Sequence, residues 1–267
     1  MEEYLTRIGA SRPASPDPES LRELQARHLL TVPFENLSVH LGEPVVLDDR
    51  ALVEKVVDRN RGGFCYEVNG AFAALLRSLG YRVSFLSARV AADGVPRAPF
   101  DHMALRVESG SASWLVDVGF GRLSRYPFRL DLRTEQPDPE GVFRVAETGE
   151  GDLDILQDDV LQYRVEQRPY ALSDFEMACW WHQTSPKSHF TRSTVCTILT
   201  ETGRVTLSGG RTLIHTVGGV REERELLTDT EVLAAYRKHF GIELSTLPPA
   251  GPRPDGGSRT TAEPASP

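Results

Sequence analysis

Three residues far apart in the chain have the types needed for nucleophilic catalysis: Cys65, His102 and Asp117. A thiol attacks as its thiolate, a histidine can take its proton, and a carboxylate can hold that histidine in one orientation. Cys65 stands in the run Arg61-Gly62-Gly63-Phe64-Cys65-Tyr66-Glu67-Val68-Asn69. The apolar residues Phe64, Val68, Ala71, Phe72, Leu75, Leu76 and Leu79 follow at helical spacing, and Gly80 is a natural stop. Cys65 is therefore expected in the first turn of a helix. There, unpaired N–H groups and the Arg61 cation favour the ionised form of a thiol whose free pKa is about 8.5. Gly62 and Gly63 are expected to permit an unusual backbone conformation before the helix. The bland use of such a cysteine, flanked by Phe and Tyr, is core packing.

His102 opens the strand pattern His102 to Glu108, and Asp117 is the charge within the otherwise apolar run Ser113 to Phe120. A carboxylate there is costly unless it is paired. If Gly110-Ser111 forms a two-residue hairpin turn with glycine first, Asp117 faces Ala104 and becomes a diagonal neighbour of His102 on one face, roughly 7–8 Å apart between Cα atoms. A slip of one residue would separate them.

The elements that must position these groups change character along the chain. Ser20 with Glu23 resembles a capping box for a helix over Leu21 to Leu29, and Asp48 or Asp49 opens another carrying Leu52 to Val57. With the Cys65 helix, residues 1–80 read as helical. From Tyr81 the pattern is of strands: Tyr81 to Val90, the pair just described, Gly141 to Glu147, Leu153 to Gln157 and Gln162 to Val165, followed by a helix over Ser173 to Trp181. This gives a β segment over 81–190. Residues 191–247 combine an antiparallel meander, Val195 to Thr200, Arg204 to Leu207 and Arg211 to Val217, with a helix over Asp229 to Phe240. The tail 248–267 is dense in Pro, Gly and Ser and is expected to be disordered.

At 267 residues, with 40% hydrophobic and 25% charged residues, the chain can bury a real core. No run approaches the roughly 18 apolar residues of a membrane span, and Met1-Glu2-Glu3 does not begin a signal peptide, so a cytoplasmic location is expected. A formal charge of −8 disfavours nucleic acid as a partner. Three cysteines, Cys65, Cys179 and Cys196, without a Cys-x-x-Cys pair argue against a disulfide framework and a zinc ribbon. His182 and His189 lack metal-ligand spacing and a third ligand, so no metal is expected.

The chain resembles the arylamine N-acetyltransferase family. The resemblance rests on Arg61 to Glu67 with Asn69, on Val32-Pro33-Phe34-Glu35-Asn36-Leu37, on His102 with Asp117-Val118-Gly119-Phe120-Gly121, on Ser185-Pro186-Lys187-Ser188-His189-Phe190-Thr191, and on Tyr4-Leu5-x-Arg7-Ile8-Gly9. It implies an α+β fold with a helical N-terminal domain, a central β-barrel and a C-terminal α/β lid, its core related to papain-like and transglutaminase enzymes. It also implies acetyl transfer from acetyl-CoA to arylamines and hydrazines through an acetyl-cysteine, with Cys65 as nucleophile, His102 as base and Asp117 as its orienting group. Phe34, Phe64, Phe120 and Phe190 become candidate walls of an aryl pocket, and Glu35 a structural ion-pair partner of Arg61. Lys187, His189 and Arg192, with Arg97 nearby, form a basic cluster that could meet the phosphates of CoA. Two positions depart from the common bacterial pattern: Val68 in place of glutamine, and Asp101 in place of threonine beside His102. Asp101 is expected to point away from the triad. The nearest alternative is an amide synthase of the same family that releases a polyketide chain as a macrolactam. A cysteine protease shares the triad chemistry but lacks support here, since the Gly-Ser-Cys-Trp surround is absent and Asp117 stands where Asn is usual.

Overall fold

A computed structural model describes residues 1–249. The tail expected from Pro248 onward lies, from residue 250, outside the described residues. Five helices fill the first part: α1 (Glu2–Ile8), α2 (Pro18–Thr31), α3 (Leu37–Leu41), α4 (Asp49–Val57) and α5 (Cys65–Ser78), with a two-residue strand β1 (Phe34–Glu35) before α3. Strands follow: β2 (Arg82–Ala92), β3 (Val95–Pro96), β4 (His102–Ser109), β5 (Ala112–Val116), β6 (Phe128–Arg129), β7 (Gln136–Asp138), β8 (Gly141–Glu147), β9 (Leu153–Gln157) and β10 (Val160–Tyr170). Helices α6 (Glu176–Thr184) and α7 (His189–Arg192) lead to β11 (Val195–Leu199), β12 (Gly203–Ser208), β13 (Thr212–Val217), β14 (Val220–Glu225) and α8 (Asp229–Ala235).

The larger sheet runs in the order β6-β5-β4-β2-β10-β9-β8-β7, with β3 against β2. It curls into a nearly closed barrel, and the Gln136 side chain ties its two ends, accepting from Arg129 N (2.7 Å) and donating to Arg129 O (2.9 Å). Inside, Phe128 stacks on Phe143 among Leu86, Leu115, Ile155 and Val165. The fold is α+β. The smaller sheet, β1-β11-β12-β13-β14, shares a core with α8 and the helical turn after it, formed by Leu207 and Leu213 from the strands, Val232 from α8, and Tyr236 and Phe240 beyond it. It is built mainly from the last part of the chain but takes β1 from the first.

Several local expectations are corrected. Helix α2 starts two residues before Ser20 because Pro18 fits the first helical position, and Asp17 rather than Ser20 is its cap, its Oδ1 accepting from Ser20 N at 2.8 Å. Strand β5 stops at Val116, because Asp117 Oδ1 accepts from Gly119 N (2.9 Å) in a tight side-chain turn that replaces the ladder. Strands β1 and β14 were not anticipated. The hairpin register is as expected: Gly110 takes φ 62° in the turn, Ser109 faces Ala112, and Leu105 faces Val116.

Candidate active site

Helix α5 begins at Cys65, and its N-terminus is pinned by Glu67. One Glu67 oxygen accepts from Phe64 N (3.1 Å) and the other meets Lys55 Nζ (2.5 Å), a buried ion pair beneath the helix. The two preceding glycines serve a different purpose from the one expected. Neither has a positive φ; instead a Cβ on Gly62 would sit 1.8 Å from Pro33 O, and one on Gly63 would sit 2.5 Å from Glu67 Cβ. They are needed for close approach, not for an unusual conformation. Arg61 is equally committed: its guanidinium lies 2.8 Å from Glu35, which is buried, and 3.5 Å from Glu43. A cation so neutralised contributes little to the thiol, and Arg61 is scaffold.

The hairpin β4–β5 brings His102 and Asp117 together beside Cys65. His102 Nε2 is 2.7 Å from Asp117 Oδ2, and both residues are about 3% exposed. Asp117 occupies Nε2 and leaves Nδ1 of the ring free, and Cys65 is close enough to contribute to the charge state of His102. Burial alone would lower the His102 pKa. The charge and hydrogen bond of Asp117, with a smaller contribution from Cys65, outweigh it and push the value up to about 10. Burial would likewise raise the Asp117 carboxyl, but His102, Asn69 and Gly119 hold it below the ordinary carboxylate range. Burial pushes the thiols of Cys179 and Cys196 well up, so they stay protonated at neutral pH.

Two residues without an assigned role complete the constellation. Asn69 lies one helical turn after Cys65. Its Nδ2 donates to Met103 O (2.7 Å) and to Asp117 Oδ1 (2.9 Å), while its Oδ1 accepts from Val118 N (2.9 Å), so one buried side chain fastens α5 to the hairpin. The i to i+4 spacing from Cys65 was the available signal. Tyr163, on β10, donates to Asp117 Oδ2 at 3.0 Å, and nothing local in the sequence marked it. Asp117 thus accepts from four donors, which satisfies a carboxylate buried in the core. Gly119 allows the contact, since a Cβ there would lie 2.7 Å from Cys65 Cα.

Phe34, Phe64 and Phe190 form one group, and Phe120 stands against His102. Phe190 packs 5.4 Å from Phe64 and 6.0 Å from Phe34 between ring centroids, and Phe120 lies 5.2 Å from His102. Phe34 and Phe120 are partly exposed, whereas Phe64 is wholly buried and can only back the others. Lys187, His189, Arg192 and Arg97 do converge, lining one cleft of about 490 Å³ with Trp181, Asp101 and His182. Asp101 stays apart from the His102–Asp117 pair, as expected, and faces His182 instead. No helix among the described residues is long and apolar enough to cross a membrane.

A family model described as N-acetyltransferase matches residues 17–247. The arylamine N-acetyltransferase of Escherichia coli is 34% identical over 250 residues, spanning 91% of this chain and 88% of its own length. That of Mycolicibacterium smegmatis is 34% identical over 256 residues, with 91% and 92% covered. The structure of Mycobacterium marinum arylamine N-acetyltransferase in complex with CoA is similar with a TM-score of 0.81 at 33% identity, covering 90% of this chain and 92% of that one. With a matching family model and relatives aligned over nearly its whole length, the chain belongs to the arylamine N-acetyltransferase family of acyltransferases.

Proposed function

We propose that the protein moves an acetyl group from acetyl-CoA to an aromatic amine or hydrazine in two half-reactions through Cys65. His102 Nδ1 takes the thiol proton, and the resulting imidazolium is held through Nε2 by Asp117. The thiolate adds to the acetyl carbonyl and CoA leaves as its thiol, taking a proton from His102. The amine then attacks the Cys65 thioester, His102 accepts its proton, and the amide departs as the Cys65 thiol is restored. Exchange between thioesters is nearly balanced, whereas amide formation draws the cycle forward.

Phe34, Phe120 and Phe190 are proposed to flank the aryl ring of the acceptor, with Phe64 behind them. Lys187, His189 and Arg192, joined by Arg97, are proposed to hold the donor's phosphates in the cleft they line. The observation that carries the mechanism is the buried His102–Asp117 pair at 2.7 Å, whose charge state Cys65 also influences. Brief mixing of the protein with acetyl-CoA followed by peptide mass spectrometry should find one acetyl group, on Cys65. Cys65→Ala should lose acetyl transfer altogether. Acetylation of Cys179 or Cys196 in place of Cys65 would refute the assignment.

A further inference from the structure

Asp101 is the one carboxylate in the cleft lined by Arg97, Lys187 and Arg192. Its side chain is 14% exposed, and Oδ1 lies 3.3 Å from His182 Nε2. His182 is clamped in turn. Its Nδ1 is 3.2 Å from Ser188 Oγ, and the rings of Trp181, Phe190 and Tyr66 surround it at 4.9, 5.3 and 6.0 Å. Yet among the described residues no side chain or backbone N–H donates a well-aligned hydrogen bond to the Asp101 carboxylate, and neither of its oxygens is a buried atom left without a partner, so the group opens onto the cleft. A carboxylate oxygen that faces a cleft and not a protein donor is free to accept from a ligand. The donor it lacks can come from whatever enters the cleft.

The position of Asp101 indicates what that is. It directly precedes His102, while Arg97 stands further back in the chain. Contacts also run from His182 to Phe190, and from Phe190 to Phe64, the neighbour of Cys65. Asp101 therefore lines the cationic cleft at the point where the chain passes into the triad.

We infer that Asp101 is a specificity-determining residue for the acyl donor, its free oxygen accepting an amide N–H from the arm that joins the thioester to the phosphates. The inference rests on the placement of the donor proposed above and deepens it. CoA carries secondary amides between its sulfur and its diphosphate. A donor with phosphates at Lys187 and Arg192 and its thioester at Cys65 draws those amides past Asp101. His182 secures Oδ1 and leaves Oδ2 for the ligand.

The test compares acetyl-CoA with p-nitrophenyl acetate, an acetyl donor without arm or phosphates, in steady-state kinetics of the wild type, Asp101→Ala, Asp101→Asn and Arg192→Ala. Asp101→Ala should raise KM for acetyl-CoA about tenfold, keep kcat within about twofold and leave p-nitrophenyl acetate turnover unchanged, the pattern for loss of one charge-assisted hydrogen bond to the arm. Asp101→Asn, which keeps an acceptor oxygen, should recover most of the KM. An unchanged or lowered KM for acetyl-CoA in Asp101→Ala overturns the inference. So does an equal loss with both donors, which would mean that Asp101 acts through His102. If Arg192→Ala raises this KM and Asp101→Ala does not, the donor's placement stands and only the role of Asp101 falls. If neither variant moves it, both fall.

Discussion

Two histidine–aspartate pairs diverge from one chain junction, and they differ in how their carboxylates are satisfied. Asp117 accepts from His102, Tyr163, Asn69 and Gly119 and is 1% exposed at its side chain. Asp101, joined to His102 by a single peptide bond, reaches His182 at 3.3 Å and is 14% exposed. The junction is a turn at Phe100, whose φ of 61° lies in the left-handed region. Such a backbone costs on the order of 1–2 kcal/mol for a bulky residue. It is held by Ser87 Oγ accepting from Phe100 N (3.1 Å) and Tyr66 Oη donating to Phe100 O (2.6 Å), while the Phe100 ring packs against Tyr170 and Phe175. A saturated carboxylate fixes its histidine and has no capacity for anything else. An unsaturated one remains able to take a ligand.

The sharpest way to break this contrast is at Asp117. Asp117→Asn presents an N–H or a weaker acceptor to His102 Nε2 and favours the wrong tautomer, so kcat should fall by roughly 10³- to 10⁴-fold. A loss of less than tenfold in steady-state assays would mean that the pair does not orient the base. Next in size, Asn69→Ala strands the Val118 N–H and leaves Met103 O and Asp117 Oδ1 each short of a donor. It should cost about 3 kcal/mol of stability in denaturant unfolding. Tyr163→Phe removes one of four donors from a charged acceptor and should cost about 2 kcal/mol, with a smaller drop in kcat than Asp117→Asn.

The pH dependence of stability adds a test by its sign. His102 titrates near 6.5 when unfolded and at about 10 when folded, so its contribution is complete below 6.5 and declines as pH rises, vanishing above about 10. The difference in unfolding free energy between wild type and His102→Gln should therefore shrink from pH 6 to pH 10. Asp117, whose folded pKa is depressed, acts in the opposite direction, and its contribution is present at neutral pH and lost as acid protonates the native carboxylate. A difference that stays level across the alkaline range would mean that His102 is not charged by its partner.

How much of this was legible depended on whether the determining contacts were local. The start of α5 at Cys65 follows from periodicity, and the pairing of Leu105 with Val116 follows from a two-residue turn with glycine first. From those two facts the proximity of His102 and Asp117 could be worked out. Strand β1 is too short to show a period, and β14, Val220 to Glu225, is exposed and charged along its length, so neither carries a burial pattern. Tyr163 reaches Asp117 from a strand on the far side of β2, a contact set by barrel curvature. The Asp101–His182 pair depends on the turn at Phe100, a backbone state that its residue type does not favour.

Asn36 holds residues that are made far apart in time. Its Nδ2 donates to Phe190 O (2.9 Å) and Ser193 O (2.8 Å), and its Oδ1 accepts from Val195 N (2.8 Å), just where β1 joins β11. During synthesis this asparagine leaves the ribosome long before its partners do. The segment that carries Phe34 and Glu35 can meet Gly63 and Arg61 early, but its edge toward β11 must wait until most of the chain has emerged. Completion of the smaller sheet is consequently a late and slow event, as expected for contacts of such long sequence separation. Until then the nascent chain exposes a strand edge that it cannot cover by itself.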